Sequence, residues 1–378
     1  MKHVLCALQE PNEVLLNHIY EFGRQHGWSV ECCGEKIPRR WFGDGVLSDY
    51  LTQKELSVID RFEQTPVVSR ILLPRRNIRT VRPDTERIAS MIADYFIDKG
   101  FTRFVTTPPS VPASMLDGKP RHIQTALKLA LAERNFALIQ LKFAFDSELQ
   151  KDYRRGWERL RNFFGSIERP FALILPSPRR LALVYRVLDD LGVRVPEEVA
   201  VMVNTDNPMI TENAAVPTSC ISGEFGELAS KMVELLERMM AGEPVPERMV
   251  YSTSAGVISR RSTDTLAVAD LRLARAVSFF LQNYMNLIGV EDAAGMAGVS
   301  RGMLIRLFRN HFGKSPSRFL LEIRLNQIRH LLDSTDLTLA EIARRCGYGS
   351  DMALSLAFRR ETGIPPGEYR NSRRHMEP

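Results

Sequence analysis

The chain has 378 residues, of which 44% are hydrophobic and 25% charged, and its formal net charge is +6. This length is enough for two or three domains with substantial cores, and the composition is that of a globular protein. No apolar run approaches the ~20 residues of a membrane-spanning helix, and the N-terminus is too polar for a signal peptide. Five cysteines without a CxxC spacing predict reduced thiols and a cytoplasmic location.

The N-terminal two-thirds alternates short apolar strands with amphipathic helical patterns. Strands are predicted at 4–8, 28–33, 45–48, 66–69, 103–106, 137–141, 171–175, 199–203, 249–253 and 257–259. Helices are predicted between them, at 14–25, 87–99, 123–134, 153–164 and 179–191. Alternation with crossovers of this length predicts parallel sheets covered by helices on both faces, with room for two lobes.

The chain is predicted to divide into an α/β part at 1–260, a polar linker at 261–270 and a helical part at 271–374. The charge is unevenly distributed between these parts. Residues 266–378 carry 16 of the 51 lysines and arginines but only 11 of the 45 acidic residues. Fifteen of these sixteen cations are arginine, whose planar fork suits guanine and phosphate. The imbalance is modest, and a solvated helix surface would explain it equally well.

A repeat occupies residues 290–369. Ala294 and Gly298 recur 49 positions later as Ala343 and Gly347. Past the turns the offset is 50, as the matched pairs Phe308/Phe358, Gly313/Gly363 and Pro316/Pro366 show. Repetition of this kind indicates two copies of one supersecondary unit.

Each copy has the pattern of a helix-turn-helix unit. Gly298 and Gly347 stand where a tight turn requires positive φ. Ser300 is placed to cap the next helix of the first copy, and Ser350 or Asp351 that of the second. In such units the second helix enters the DNA major groove. The two recognition helices are predicted at 301–311 and 351–361.

These residues resemble the AraC/XylS-type DNA-binding domain. The similarity runs from Gly298-Val299-Ser300 through Arg306-Leu307-Phe308-Arg309 to Gly313, and from Glu341-Ile342-Ala343 through Gly347-Tyr348 to Tyr369-Arg370. The resemblance implies two helix-turn-helix units joined by a long helix, here 316–333. In the second recognition helix, Met352-Ala353-Leu354 and Leu356 depart from the usual pattern, so base reading is predicted more firmly for the first helix.

The N-terminal part resembles the LacI/GalR sugar-binding lobe pair, a periplasmic-binding-protein fold. The similar stretches are 41–47, 182–201 and Thr205-Asp206-Asn207. A lobe pair of this kind ahead of an AraC-type domain is the layout of xylose-operon regulators. The resemblance implies a sugar-like effector between the lobes, and the candidate effector residues are Gln9, Trp41, Arg121 and Asp206. Because Pro178 replaces the aspartate usual in sugar binders, another sugar, a non-sugar ligand or no ligand are alternatives.

The sequence therefore predicts a DNA-binding transcription regulator. The candidate DNA contacts are Ser300, Arg301, Arg306, Arg309, Ser350, Asp351, Met352, Ser355, Arg359 and Arg360. Arg301 and Arg306 are predicted to reach base edges, whereas Arg309, Arg359 and Arg360 are predicted to hold phosphates. The expected partners are double-stranded DNA, a sugar-like effector, a second copy of the chain and RNA polymerase. No cofactor and no metal site are predicted, and the protein is expected to join the nucleoid when bound to DNA.

Two other function classes compete with this interpretation. The first is a protein-interaction module that contacts DNA only secondarily and has no small-molecule effector. The second is a hydrolase, because Gly298-Val299-Ser300-Arg301-Gly302 fits the G-x-S-x-G nucleophile elbow. That elbow needs a preceding strand, whereas 292–297 is predicted to be helical, so we do not expect an enzyme.

Overall fold

The computed structural model describes residues 1–8, 13–33, 38, 41–48, 64–70, 77–108, 123–141, 152–222, 225–246, 250–252 and 256–374. Within these ranges the first lobe contains strands β1 (Lys2–Ala7), β2 (Trp28–Cys32), β3 (Gly45–Ser48), β4 (Val67–Ser69), β5 (Ile78–Pro83) and β11 (Val250–Ser252). Helices α1 (Glu13–Gln25) and α7 (Phe225–Met240) pack on this sheet. The strands are all parallel and lie in the order β11-β5-β4-β3-β1-β2.

The second lobe has the same arrangement of strands in its sheet as the first. Its strands are β6 (Phe104–Thr106), β7 (Leu138–Gln140), β8 (Phe171–Leu175), β9 (Val199–Val203), β10 (Ser219–Ile221) and β12 (Val257–Ile258). They lie in the order β12-β10-β9-β8-β6-β7, and only β12 runs antiparallel to its neighbour. The helices are α2 (Thr85–Asp98), α3 (Ile123–Glu133), α4 (Tyr153–Gly165), α5 (Leu181–Asp190) and α6 (Pro208–Thr211).

The central strands of the second lobe are buried on both faces. Leu173 and Val201 belong to the core beneath α4 and α5, whereas Ala172 and Met202 belong to the core beneath α2 and α3. A strand covered by helices on both sides needs apolar side chains at every position. This requirement explains the unbroken apolar runs of β8 and β9.

The chain passes between the lobes at the carboxyl ends of strands. β5 leads into α2, β10 leads toward α7, and β11 leads toward β12. Two of these crossings touch, because the backbone N–H of Asp84 donates to the carbonyl of Ser252 at 3.1 Å. The carboxyl edges of both sheets therefore border the crossings, and open α/β sheets bind ligands at this edge.

The segment predicted as a polar linker, 261–270, is packed against the second lobe. The Ser262 hydroxyl donates to the Val201 carbonyl at 2.6 Å and accepts from the backbone N–H of Ser219 at 2.8 Å. Farther along, the backbone N–H of Ala267 donates to the carbonyl of Lys99 at 2.8 Å. The hydroxyl of Ser262 can be buried because backbone groups of the sheet pair with both its donor and its acceptor. The boundaries of the parts remain a prediction.

The C-terminal part is helical. Its helices are α8 (Leu271–Asn283), α9 (Val290–Ala297), α10 (Arg301–Phe312), α11 (Pro316–Ser334), α12 (Leu339–Arg345), α13 (Asp351–Thr362) and α14 (Pro366–Arg374). The long helix α11 serves two cores. Phe319 and Leu320 join the core of α8–α10, whereas Leu325 and Ile328 join the core of α12 and α13. Each helix-turn-helix unit thus has its own core, and α11 connects them.

The predicted fold class is confirmed: two α/β lobes precede a helical part with two helix-turn-helix units. The sequence did not predict β5 and β10. In β5, arginines at 79 and 82 interrupt the apolar pattern, and the strand ends at Pro83. β10 is only three residues long and starts with a serine that is buried through hydrogen bonds to the junction segment. Tertiary contacts, rather than local pattern, define both strands.

Candidate nucleic-acid interface and effector cleft

The two turns have the backbone geometry that the repeat predicted. Gly298 has φ of 67° and Gly347 has φ of 72°, both in the left-handed region. The hydroxyl of Ser300 accepts from the N–H of Met303 at 3.3 Å, and that of Ser350 accepts from the N–H of Ala353 at 3.1 Å. Both serines therefore cap recognition helices, and Ser350 rather than Asp351 is the cap of the second.

The first recognition helix, α10, presents a cationic outer face. Leu304 and Phe308 are buried beneath it, whereas Arg301, Arg306 and Arg309 are exposed. Arg301 pairs with Glu291 at 2.9 Å, but both side chains are more than 60% exposed. An ion pair this exposed contributes little stability, so a phosphate or base can displace it.

Arg306, unlike Arg301, forms no ion pair with another described residue. Its guanidinium contacts the sulfur of Met303 at 3.3 Å, and no carboxylate in the described part of the chain is within ion-pair distance. Its planar fork is thus available for bidentate hydrogen bonding.

The second recognition helix, α13, has a different outer face. Leu354 and Phe358 are buried at the positions of Leu304 and Phe308. Asp351, Met352 and Leu356 are exposed, and Ser355 between them is half-buried. Arg359 and Arg360 are exposed at its last turn. The helix carries cations only near its C-terminal end.

Arg324, on α11, links the two units and was not predicted from the sequence. Its guanidinium donates to the carbonyl of Tyr284 at 3.0 Å and to that of Asn286 at 2.8 Å, both after α8. It also lies 5.7 Å from the ring of Tyr348 in the second turn. Burial lowers the pKa of Arg324 from its ordinary value. The residue thus fixes the second turn against the first unit.

A second contact joins α11 to the second recognition helix. Arg318 pairs with Glu361 and also with Glu322. The hydrogen bond from Arg318 lowers the pKa of Glu361, so this carboxylate is charged at neutral pH. Because α11 also packs on α10, both recognition helices are anchored to one element.

Among the candidate effector residues, Asp206 lies three residues beyond β9, at the carboxyl edge of the second sheet. Its carboxylate accepts from the hydroxyl of Thr211 at 2.8 Å and faces the guanidinium of Arg260 at 3.3 Å. Both side chains of this ion pair are 13% exposed. Although burial raises it, these hydrogen bonds hold the pKa of Asp206 below its ordinary value. An effector that binds Asp206 must therefore share it with Arg260.

Arg260 itself connects the cleft to the junction segment. Its guanidinium also donates to the carbonyl of Thr218 at 3.0 Å and contacts Glu212 at 3.0 Å. The next residues, 261–263, form a 3-10 turn buried against β9 and β10. The arginine pair that opens the junction is the sequence signal for this role.

Trp41 packs against the first sheet. It precedes β3, and its indole N–H donates to Glu31 at 3.3 Å beside His3, near the amino ends of β1 and β3. Parallel strands bind ligands at their carboxyl ends. Trp41 therefore lies at the edge opposite the expected cleft. Gln9 and Arg121 lie outside the described residues.

Polar residues that were not singled out occupy the carboxyl edges instead. Ser48 and Ser69, at the ends of β3 and β4, share a hydrogen bond of 3.3 Å between buried hydroxyls. Thr107 follows β6 and is also buried. Their position at or just after the carboxyl end of a predicted strand is the sequence signal that could have identified them.

The described residues give little support for the hydrolase alternative or for a metal site. Ser300 follows the helix α9 rather than a strand, and its hydroxyl caps α10, so the nucleophile-elbow geometry is not formed. Among the described residues, no cluster of histidine, cysteine and carboxylate side chains is arranged to hold a metal ion. In the same part of the chain, no helix combines the length and apolarity that crossing a bilayer requires.

Comparison with known proteins places both parts of the chain. Residues 293–372 match a family described as a helix-turn-helix domain, and residues 93–263 match a periplasmic binding protein-like domain. The chain is 22% identical over 337 residues to the xylose operon regulatory protein of Escherichia coli K12, covering 88% of this chain and 84% of that one. It is 38% identical over 103 residues to a putative AraC-like transcription regulator of Streptomyces lividans, covering 27% and 34%.

A solved structure shows the same overall arrangement. The structure of a xylose-binding transcription activator superposes with a TM-score of 0.64 at 21% sequence identity, covering 98% of both chains. At this identity the likeness establishes the fold.

Proposed function

The chain belongs to the AraC-type helix-turn-helix regulators with an N-terminal periplasmic-binding-protein-like domain, and we propose that it controls transcription by binding specific operator DNA. The observation that carries this proposal is the pair of capped recognition helices whose outer faces are exposed to solvent in the described chain. A helix face that contacts another protein would more often have apolar residues at its centre and fewer charged ones.

Each predicted DNA contact has a role in this proposal. Arg306, with Arg301 after release from Glu291, would donate to guanine in the major groove. Arg309, Arg359 and Arg360 lie at the last turns and would hold phosphates. The N-terminal ends of the helices, with Ser300, Ser350, Asp351, Met352 and Ser355, would approach the bases. Two such helices on one side of a duplex would read half-sites ~34 Å apart.

We propose a sugar-like effector for the N-terminal lobes. The support is the set of polar groups at the carboxyl edges of the two sheets, together with similarity to proteins described as xylose operon regulatory protein and xylose-binding transcription activator. Arg260 offers a route to the DNA-binding helices, because it pairs with Asp206 and begins the buried junction segment. If the lobes close and Asp206 moves, Arg260 and the junction segment that leads into α8 would then move with it.

The remaining partners are part of the same proposal. A cytoplasmic regulator of this layout would act as a homodimer joined through its N-terminal part, with RNA polymerase as a further contact. A protein-interaction module with secondary DNA contact is the second candidate, favoured by the exposed apolar residues of α13.

The DNA proposal is tested by selecting binding sites from random duplexes with the full chain. Wild-type protein should enrich one motif with two half-sites, and Arg306→Ala should relax discrimination at one base pair by ~1–3 kcal/mol. Asn310→Ala, on the exposed surface of the same helix, is the matched control and should leave the motif unchanged. No enriched motif with wild-type protein would favour the interaction module.

The effector proposal is tested separately, by a thermal-shift screen of the full chain against pentoses, hexoses and unrelated metabolites. A ligand at 100 times its dissociation constant stabilises the folded state by ~2.7 kcal/mol. Asp206→Asn should weaken the response to a hit, whereas Glu31→Gln, beside Trp41 at the opposite edge, should not. An equal loss with both variants would place the ligand elsewhere.

A further inference from the structure

The two recognition helices differ at the positions where bases would be read. At the offset of 50, Arg309 corresponds to Arg359 and is conserved in character. By contrast, Arg306 of the first helix corresponds to Leu356 of the second, and Gly302 corresponds to Met352. The second helix therefore keeps the cation at its last turn but replaces the guanine-reading arginine by an apolar side chain.

These apolar side chains are not part of the protein core. Met352 is 72% exposed and Leu356 is 66% exposed. They lie four residues apart, on one face of α13, while Leu354 and Phe358 fill the core from the other face. Folding thus leaves two adjacent large apolar groups in water, which is unfavourable unless a partner covers them.

The charge around this pair indicates what the partner is. Arg359 and Arg360 follow it on the same helix, and Arg344 and Arg345 are exposed on α12, just before the turn. In the described part of the chain, Arg360 has a carboxylate neighbour, Glu361, that already pairs with Arg318. An apolar pair with exposed arginines on both sides suits a polyanion that carries apolar groups.

Duplex DNA has one such group in its major groove, the C5 methyl of thymine. We propose that α13 selects its half-site through contacts of Met352 and Leu356 with thymine methyls, whereas α10 selects guanine through arginine. This inference rests on the proposed DNA-binding function. It predicts an asymmetric operator, with a guanine-containing half-site and a thymine-rich half-site about one helical turn apart.

Replacing thymine by deoxyuridine tests the inference directly, because it removes the methyl and retains base pairing. With the operator selected by the full chain, each such replacement in the α13 half-site should weaken binding roughly three- to fivefold. The same replacement in the α10 half-site should change the dissociation constant less than about twofold, which serves as the internal control.

Protein variants assign the effect to the two side chains. Leu356→Ala and Met352→Ala should each reduce the sensitivity to deoxyuridine, because the methyl then has no apolar neighbour. Leu356→Arg, which restores the residue found in the first helix, should shift the preferred base toward guanine. Met296→Ala is the matched control, since Met296 is 60% exposed but lies on α9, outside both recognition helices.

The outcomes separate the two proposals. If no duplex is enriched, the DNA-binding function itself is wrong. If a two-part operator is enriched but deoxyuridine has no effect in the α13 half-site, the thymine inference is overturned. It is also overturned if Leu356→Ala leaves DNA affinity unchanged and lowers transcription with purified polymerase, because the apolar pair would then contact protein.

Discussion

The two helix-turn-helix units share a backbone and differ in their surroundings. Both turns hold a glycine near φ of 70°, and both second helices begin at a serine cap. Yet a Cβ on Gly298 would meet nothing within 4 Å, whereas one on Gly347 would lie 2.2 Å from the carbonyl oxygen of Tyr284. The first turn is open to solvent, and the second is packed against the first unit.

This difference shows that one local motif can meet two requirements. At Gly298 the requirement is only conformational, because a left-handed residue is needed to end α9. At Gly347 the requirement is also steric, because the connection after α8 and the guanidinium of Arg324 occupy the space of a side chain. The second unit is consequently held in position by the first.

The largest expected effect comes from exchanging these glycines for alanine. Gly347→Ala should lower the free energy of unfolding by about 3 kcal/mol or more, since it adds a main-chain clash to left-handed strain. Gly298→Ala should cost only ~1–2 kcal/mol, the strain alone. Urea unfolding of the full chain, followed by far-UV circular dichroism and by hydrogen exchange of the helices after each turn, measures both. Equal losses would show that the second turn can relax away from Tyr284.

The sequence predicted the motif at these glycines but not their different packing. The positive φ followed from the repeat, since Gly298 and Gly347 occupy equivalent turn positions. The close approach at Gly347 depends on Tyr284 and Arg324, which are distant in sequence and have no local pattern.

The same limit applies to the candidate effector residues. Asp206 was found from the resemblance to sugar-binding lobes, but its partner Arg260 is brought to it only by the antiparallel addition of β12.

The placement of Trp41 depends on strand direction in the same way. Its residue type suits sugar stacking, but its side of the sheet is fixed by strand direction, and residues just before a parallel strand lie at the amino edge. Sequence reasoning was thus reliable for elements and turns. It was less reliable for which side chains share a site.

One aspartate beside the first unit, Asp264, makes the stability of the protein depend on pH. Asp264, in the junction segment that precedes α8, is half-buried, and this burial raises its pKa to about 6 despite the opposing charges of Lys99 and Arg261. Because this exceeds the unfolded value of about 3.9, the folded state binds the proton more tightly. Asp264 therefore lowers stability progressively as pH rises from about 4 to about 6, and the loss is complete above that range.

Asp264→Asn should remove this loss. The variant should be more stable than wild type by ~1–3 kcal/mol at pH 7.5 and nearly equal to it at pH 4. The control is Asp270→Asn, because the hydrogen bond from Arg272 lowers the pKa of Asp270, so the contribution of Asp270 changes only below about pH 4 and stays nearly constant over this range. Thermal unfolding of both variants across this pH range measures the effect. A constant difference at every pH would exclude titration of Asp264 as its cause.

Arg324 tests whether the first unit positions the second. Arg324→Ala leaves two carbonyls without their donor and should cost ~1–3 kcal/mol. Arg324→Lys should recover little, because an ammonium cannot bridge both carbonyls as the guanidinium does. Arg329→Ala, which loses one contact to Asn326 on the same helix, is the matched control.

The positioning role has its own measurement. Operators whose half-sites are moved apart by one base pair should be discriminated less well by Arg324→Ala than by wild type. A variant that is merely less stable would bind both spacings with the same ratio as wild type once folded, and that result would reduce Arg324 to a structural contact.

The smallest expected effects concern the first helix of each unit. α12 has a full capping box, in which the Thr338 hydroxyl accepts from the N–H of Glu341 and the Glu341 carboxylate accepts from the N–H of Thr338. In α9 the equivalent cap is Gly289, so only the reciprocal bond to Asp292 exists, at 2.8 Å. Thr338→Ala should therefore cost ~1 kcal/mol.

Gly289→Ser should instead stabilise the first unit by a few tenths of a kcal/mol. The backbone at Gly289 is extended, with φ of −131°, and a Cβ there would make only ordinary contacts at 3.6 Å and 3.9 Å. The substitution supplies the missing acceptor without strain, so hydrogen exchange of the first amides of α9 should slow while that of α12 is unchanged. Faster exchange in α9 would mean that the glycine is required there for a reason other than capping.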